Sequence, residues 1–254
     1  YTRTLYAAKG TEDSTTWITT TNGTTWANNT AALRAANFDK YTDTDSKRSA
    51  RRISSYKGLV IFPGNDFTQD TDNPELSFLD GTNNIKISHL NIGPSGNGSP
   101  PFAVTDMLTA NGKVYFGIID PGGTAPDLTG RVMEYNPITG KITQVLNAFG
   151  TGASEQGEGY PSALAWWKGQ LWVGLSGGNT TNGIGTIVRA YVDVATSWTA
   201  DVSNLSCHIT SLGVFAGDLY AASISSASTG ARIHRKTAAG TAWTTQVTSA
   251  SGAG

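Results

Sequence analysis

The sequence predicts an all-β chain built from repeated four-stranded units, and three observations predict it. Gly (30 of 254 residues), Thr, Tyr (9) and Trp (7) are abundant, and long Leu/Ala/Glu/Lys stretches are absent, which favours short strands joined by many turns. Four segments share one pattern: an alternating apolar strand, a tight turn containing Gly, and a second alternating strand, which is the hairpin signal. The turn glycines Gly58, Gly112, Gly169 and Gly217 are spaced by 54 (58 to 112), 57 (112 to 169) and 48 (169 to 217) residues. That is close to the period of roughly 40–50 residues with four strands per unit that marks a β-propeller.

Along the chain, "RTLYAAKG" matches the second strand of a unit and "STTWITTTNGTTWANN" its third and fourth, so residues 1–30 read as an incomplete N-terminal blade lacking its innermost strand. Residues 31–48 connect it to four recognisable blades. The first, 49–92, pairs the hairpin "RRISSYKGLVIFPG" with "ELSFLDGTNNIKISHL", and the second, 102–149, pairs "VTDMLTANGKVYFGI" with "GRVMEYNPITGKITQVL". The third, 160–204, joins "PSALAWWKGQLWVGL" to "TIVRAYVDVATSWTADV", and the fourth, 207–248, joins "ITSLGVFAGDLYAAS" to "ARIHRKTAAGTAWTTQV". A single blade cannot bury both faces of its sheet, whereas blades packed face to face can. The expectation is one propeller domain over 1–254 with five or more blades in total. The absent strand would come from a partner or from further domains of the same chain, because its neighbours would otherwise present unpaired edges.

Charge and hydropathy exclude some function classes. The formal net charge is −1 with 15% charged residues, so no field gathers nucleic acid or an anionic membrane surface. No apolar run reaches the roughly 20 residues of a bilayer-spanning helix, so no membrane insertion is expected. The lone Cys207 excludes an internal disulfide framework and a multi-cysteine metal site.

A search for chemistry finds no catalytic constellation. His89, His208 and His234 fall at different places in different blades, none at metal-ligand spacing with another, and "GLSGG" at 174–178 is a loop at a strand end rather than a nucleophile elbow. Carboxylates two apart in "DTDS" (43–46) and "DTDNPE" (70–75) carry the beginning of a Ca²⁺ loop without its remaining ligands. No cofactor is therefore expected, with Ca²⁺ the one ion this spacing admits. The basic cluster "SKRSARR" ends in Arg51 and Arg52, which are candidates for an assembly contact with an acidic neighbour. In "ALAWWKGQLW", alternation sends Trp166 and Trp167 to opposite faces of one sheet, a core-packing arrangement.

The loops between second and third strands differ from the rest. "GNDFTQDTDNPE" (64–75), "IDPGGTAPDLTG" (119–130) and "SGGNTTNGIG" (176–185) are long and polar, and a propeller gathers such loops on one face. Their Asp66, Asp70, Asp72, Asp120, Asp127, Asn179 and Asn182 are the candidate binding residues, suited to hydrogen-bonding a hydroxyl-rich glycan or a protein neighbour.

The outer hairpins carry a resemblance. "TTTNGTTW" keeps Thr19, Gly23, Thr25 and Trp26, with Thr21 at the Asp position of the pattern Ser/Thr-x-Asp-x-Gly-x-Thr-Trp. "KTAAGTAW" keeps Gly240 and Trp243 with Ala238 at that position, and "YVDVATSW" keeps Asp193 and Trp198 with Ala195 in place of the Gly. These segments resemble degenerate Asp boxes of sialidase-like propellers. The resemblance implies the fold, with the box acting as a structural turn and its Trp packing between strands. The Arg-Ile-Pro motif that sialidases carry is absent from the sequence.

The functional expectation is a non-enzymatic binding and structural module, extracellular or virion-associated, resembling in style the propellers of phage tail and fibre proteins. The alternative is a secreted carbohydrate-active hydrolase or lyase using Asp66, Asp72 or Asp120. A protein-interaction scaffold of kelch or WD type ranks below both, because the blades lack those families' motifs.

Overall fold

The computed structural model describes residues 5–11, 14–28, 54–56, 59–64, 75–80, 85–91, 103–120, 129–147, 160–176, 186–190, 198–202, 208–224 and 230–248. Among them there are strands and turns and no helix. The chain divides into two compact units, Tyr1–Val104 and Thr105–Gly254.

The first unit holds two sheets. Strands β1 (Leu5–Thr11), β2 (Ser14–Thr20) and β3 (Ala27–Asn28) form a three-stranded antiparallel meander. Strands β4 (Ser54–Tyr56), β5 (Leu59–Gly64), β6 (Glu75–Asp80) and β7 (Ile85–Asn91) form a four-stranded one in chain order. The turn after β2 is capped locally: Thr20 Oγ1 accepts from the Gly23 N–H at 3.0 Å, and Asn22 Oδ1 accepts from the Thr24 and Thr25 N–H groups at 2.9 and 2.8 Å. Asn22 thus caps the turn from the residue next to Thr21, the position where an Asp box carries its carboxylate. Trp26 is 43% exposed, so this tryptophan is not packed between strands as the resemblance implies.

The second unit repeats one design three times. Its sheets are β8 (Ala103–Ala110, starting two residues before the unit boundary), β9 (Lys113–Asp120), β10 (Thr129–Asn136) and β11 (Lys141–Asn147); β12 (Tyr160–Trp167), β13 (Gln170–Ser176), β14 (Thr186–Ala190) and β15 (Trp198–Val202); and β16 (His208–Phe215), β17 (Asp218–Ile224), β18 (Ala231–Lys236) and β19 (Trp243–Thr248). Each first hairpin closes on two residues of positive φ, Asn111-Gly112, Lys168-Gly169 and Ala216-Gly217, with φ between 49° and 85°. This is the turn whose twist matches a β-hairpin, which is why the Gly recurs there. In each of these blades, and in β4–β7, the pairing of third and fourth strands shifts register once, at Phe78/Leu79, Val132/Met133, Ile187/Val188 and Ile233/His234. A bulge at the same place in every unit strengthens the local twist.

Alternating side chains fill the spaces between sheets of this unit. Tyr115, Val132 and Leu146 of β8–β11 meet Leu164, Leu171, Val173 and Leu175 of β12–β15, with Trp166 stacked on Tyr115 (centroids 6.1 Å apart, 17° between planes). On the opposite face of β12–β15, Ala163, Ala165, Trp167 and Trp172 meet Ile209, Leu219 and Ala221 of β16–β19. Trp167 and Trp172 meet edge to face at 5.2 Å.

Candidate functional site

The ends that carry the second-to-third-strand loops are brought together by close backbone contacts. At the base of the 121–128 loop Asp120 pairs with Thr129, and the next residue, Gly130, lies against the start of β12: a Cβ there would sit 2.6 Å from Tyr160 Cα. Only a residue without a side chain permits that approach. Tyr160 pairs with Ser176, at the base of the 177–185 loop, and Ser176 Oγ donates to the Ile209 carbonyl at 2.6 Å. Gly174 admits Ile209 in the same way, a Cβ there lying 3.0 Å from Ile209 Cβ. His208, beside Ile209, pairs with Ile224 at the base of the 225–229 loop. Three loop bases in successive blades therefore share one end of the packed unit.

Hydroxyls fix this end. Thr105 Oγ1 donates to the Pro161 carbonyl, and Ser162 Oγ, one unit later, donates to the Ile209 carbonyl, so first strands of neighbouring blades are linked by the same kind of bond. Ser162 sits at a register shift between Pro161 and Ala163, and the bulge re-aims its side chain. Asp106 Oδ2 adds a carboxylate, accepting from the Leu164 N–H at 2.7 Å.

Of the residues the sequence singles out for binding, Asp120 lies at this end, as the last residue of β9. Asp66, Asp70, Asp72, Asp127, Asn179 and Asn182 lie outside the described residues, as do Arg51 and Arg52 and the acidic runs at 43–46 and 70–74. Among the described residues no group of three or more His, Cys, Asp or Glu is placed to hold a metal ion.

Elsewhere in this unit are ionic clusters that sequence reasoning did not foresee. Asp201 of β15 receives Lys236 Nζ of β18 on both oxygens, at 2.9 and 2.7 Å, and the Trp243 indole N–H at 2.7 Å. Lys236 also donates to the Thr241 carbonyl at 2.6 Å and lies between the rings of Trp172 and Trp243, 5.7 and 5.9 Å from their centroids. Both charges are buried, so the pair is held by full satisfaction of its donors and acceptors. Nearby, Asp218 accepts from Arg235 Nε at 2.8 Å and from the Ala238 N–H at 2.7 Å. The Arg235 hydrogen bond, and then the Ala238 N–H, hold the Asp218 carboxyl below the ordinary carboxylate range. Asp218 supplies from a neighbouring strand the backbone cap that Ala238 itself cannot.

His234 makes the remaining polar link. Its Nε2 lies 3.0 Å from Ser223 Oγ and its Nδ1 3.2 Å from Thr245 Oγ1, joining β17, β18 and β19. Burial, with Arg232 nearby, pushes the imidazole below its usual range. The spacing is that of a nucleophile and base, but Ser223 is 1% exposed and a hydroxyl stands where a carboxylate would orient the ring, so this is a structural bridge.

No family model matches the chain, and no curated protein matches it by sequence. Solved structures do resemble it. A Niastella koreensis GH74 enzyme aligns over 95% of this chain at TM-score 0.57 and 12% identity. A chain of a nidogen/laminin complex aligns over 98% at 0.56 and 9%, and a Trypanosoma rangeli sialidase, solved with 2,3-difluorosialic acid, over 79% at 0.53 and 8%. The chain spans 36% of the GH74 enzyme and 37% of the sialidase, against 76% of the nidogen/laminin chain. At such identities the likeness concerns the fold, and with the repeated antiparallel four-stranded sheets it establishes a β-propeller fold.

Proposed function

We propose that this chain is a non-enzymatic binding and structural module of an extracellular or virion assembly, recognising a glycan or a protein neighbour through its loop-bearing end. The observation that carries the reading is the convergence of three loop bases, at Asp120/Thr129, Leu175/Thr186 and Ile224/Ala231, on one end of interlocked blades. A rigid scaffold presenting polar loops is the usual geometry of recognition, and the Asp, Asn, Thr and Gly of these loops suit hydroxyl-rich ligands. The carboxylates of Asp106, Asp201 and Asp218 are engaged in holding blades and turns together, which leaves them structural work rather than acid/base work. Binding is tested on a glycan array and by capture of assembly neighbours. The reading expects a ligand whose capture is lost when 121–128 and 177–185 are shortened, and a blank result in both assays sinks it.

A second reading, a carbohydrate-active hydrolase or lyase, is favoured at fold level by the sialidase and GH74 neighbours. Turnover on a polysaccharide panel that disappears in Asp66→Asn, Asp72→Asn or Asp120→Asn would replace the first reading with this one.

A further inference from the structure

We propose that Asn111 is a site of spontaneous backbone modification: its side-chain amide is lost to attack by the Gly112 nitrogen, and the chain there isomerises to a β-aspartyl link. The sequence holds four Asn-Gly pairs, starting at residues 22, 97, 111 and 182, and the structure describes two of them, Asn22-Gly23 and Asn111-Gly112. Asparagine is a thermolabile residue, and a following glycine puts no side chain in the way of attack on the carboxamide. By sequence the two described pairs are equally reactive. Their turns make them unequal.

Asn22 is locked. Its Oδ1 accepts from the Thr24 and Thr25 N–H groups at 2.9 and 2.8 Å and from the Thr20 hydroxyl at 3.0 Å, which fixes the carboxamide. The nitrogen that would attack it, that of Gly23, donates its proton to Thr20 Oγ1 at 3.0 Å. Nucleophile and electrophile are each committed to other partners, and bringing them together breaks these bonds.

Asn111 has no such restraint. Among the described residues none is hydrogen-bonded to its carboxamide. Asn111 and Gly112 are the two central residues of the β8–β9 turn, at φ 49° and 72°. The hydrogen bond that closes such a turn belongs to the flanking positions, which leaves the Gly112 N–H uncommitted. Departure from the left-handed region also relieves Asn111 of a conformation that L residues adopt at a cost. The same turn in the next two blades carries Lys168-Gly169 and Ala216-Gly217, which have no amide to lose.

The attack is intramolecular, and water is the other reactant. Gly112 N gives its proton to hydroxide and bonds to Asn111 Cγ; the amide nitrogen takes a proton from water and leaves as ammonia, closing a cyclic imide. Water then opens the imide. Cleavage of the N–Cγ bond leaves aspartate, and cleavage of the bond to the main-chain carbonyl carbon leaves the chain running through Cγ. That second product adds an atom to the backbone of a two-residue turn whose length sets the β8–β9 register.

Peptide mapping of the 254-residue chain, aged folded in mildly alkaline buffer, tests this, with sites assigned by fragmentation and the β-aspartyl product by enzymatic methylation. The expected result is conversion at Asn111 about tenfold or more faster than at Asn22, a difference that vanishes in chain aged in concentrated urea. Thr20→Val removes the hydroxyl that holds both Asn22 and Gly23, so it should accelerate conversion at Asn22 several-fold and leave Asn111 unchanged. Circular dichroism checks that this variant folds, and the wild-type comparison decides without it. An Asn111 that keeps its amide in the folded chain overturns the proposal. An Asn22 that reacts as fast as Asn111 in the folded wild type overturns it equally.

Discussion

The outward faces of the β12–β15 and β16–β19 blades share one sequence pattern and have opposite fates. Trp167 and Trp172 are shut between sheets, while Phe215 and Tyr220, in the same geometry, face outward. The local sequence sets which residues share a face, and the neighbouring blade decides whether that face is a core. Burial is a property of the contact and cannot be assigned to a strand by itself.

The comparison predicts its own breaking points. Trp172→Ala opens a cavity between two blades and should cost about 3–5 kcal/mol in urea unfolding, whereas Tyr220→Ala, on the open face, should cost about 1 kcal/mol or less. Equal losses would mean that the two faces are not distinct. Asp201→Ala strands Lys236 as a buried charge between blades, at about 3–5 kcal/mol, and Asp201→Ala with Lys236→Met should recover much of that loss. Gly174→Val drives a side chain into Ile209 at about 1–3 kcal/mol, while Ala222→Val, at the matching position, should stay within about 0.5 kcal/mol.

A pH effect comes next. His234 pairs across the sheet with Ala221, which packs toward β12–β15, and its pKa is lowered on folding. A lowered folded pKa means that the unfolded chain binds the proton more readily, so this contribution is complete above the ordinary value of 6.5 and is lost as pH falls through the folded value. Melting curves from pH 8 to 4.5 should show that loss in the wild type and a flatter profile in His234→Gln. The smallest effect concerns Ala216, an alanine at φ 49° in a turn where glycine is free of strain. Ala216→Gly should stabilise by up to about 1 kcal/mol, read as a small rise in unfolding midpoint.

Much of the fold was legible because its signals are local. The Gly turns at 112, 169 and 217 recur because two positive φ angles are needed at each of those hairpins, and alternation correctly separates Trp166, stacked on Tyr115, from Trp167, packed on Trp172. The clusters that join blades were not legible, since Lys236 and Asp201 are 35 residues apart and Ala238 takes its cap from Asp218, 20 residues away. The degenerate boxes hid this: a missing Asp at Ala238 reads as erosion, yet the turn is capped by a carboxylate from another strand. For the candidate site, the sequence indicates which loops are long and polar. That their bases share one end depends on Gly130 and Gly174, whose meaning lies in what they touch.

The most direct test of the account is hydroxyl-radical footprinting of side chains at low protein concentration. Tryptophan is the more reactive ring, but the account predicts fast oxidation of Phe215 with Trp167 and Trp172 protected. Phe215 protected as fully as Trp167 at the lowest concentration would contradict it, because the two matching faces would then be equally covered within a single chain.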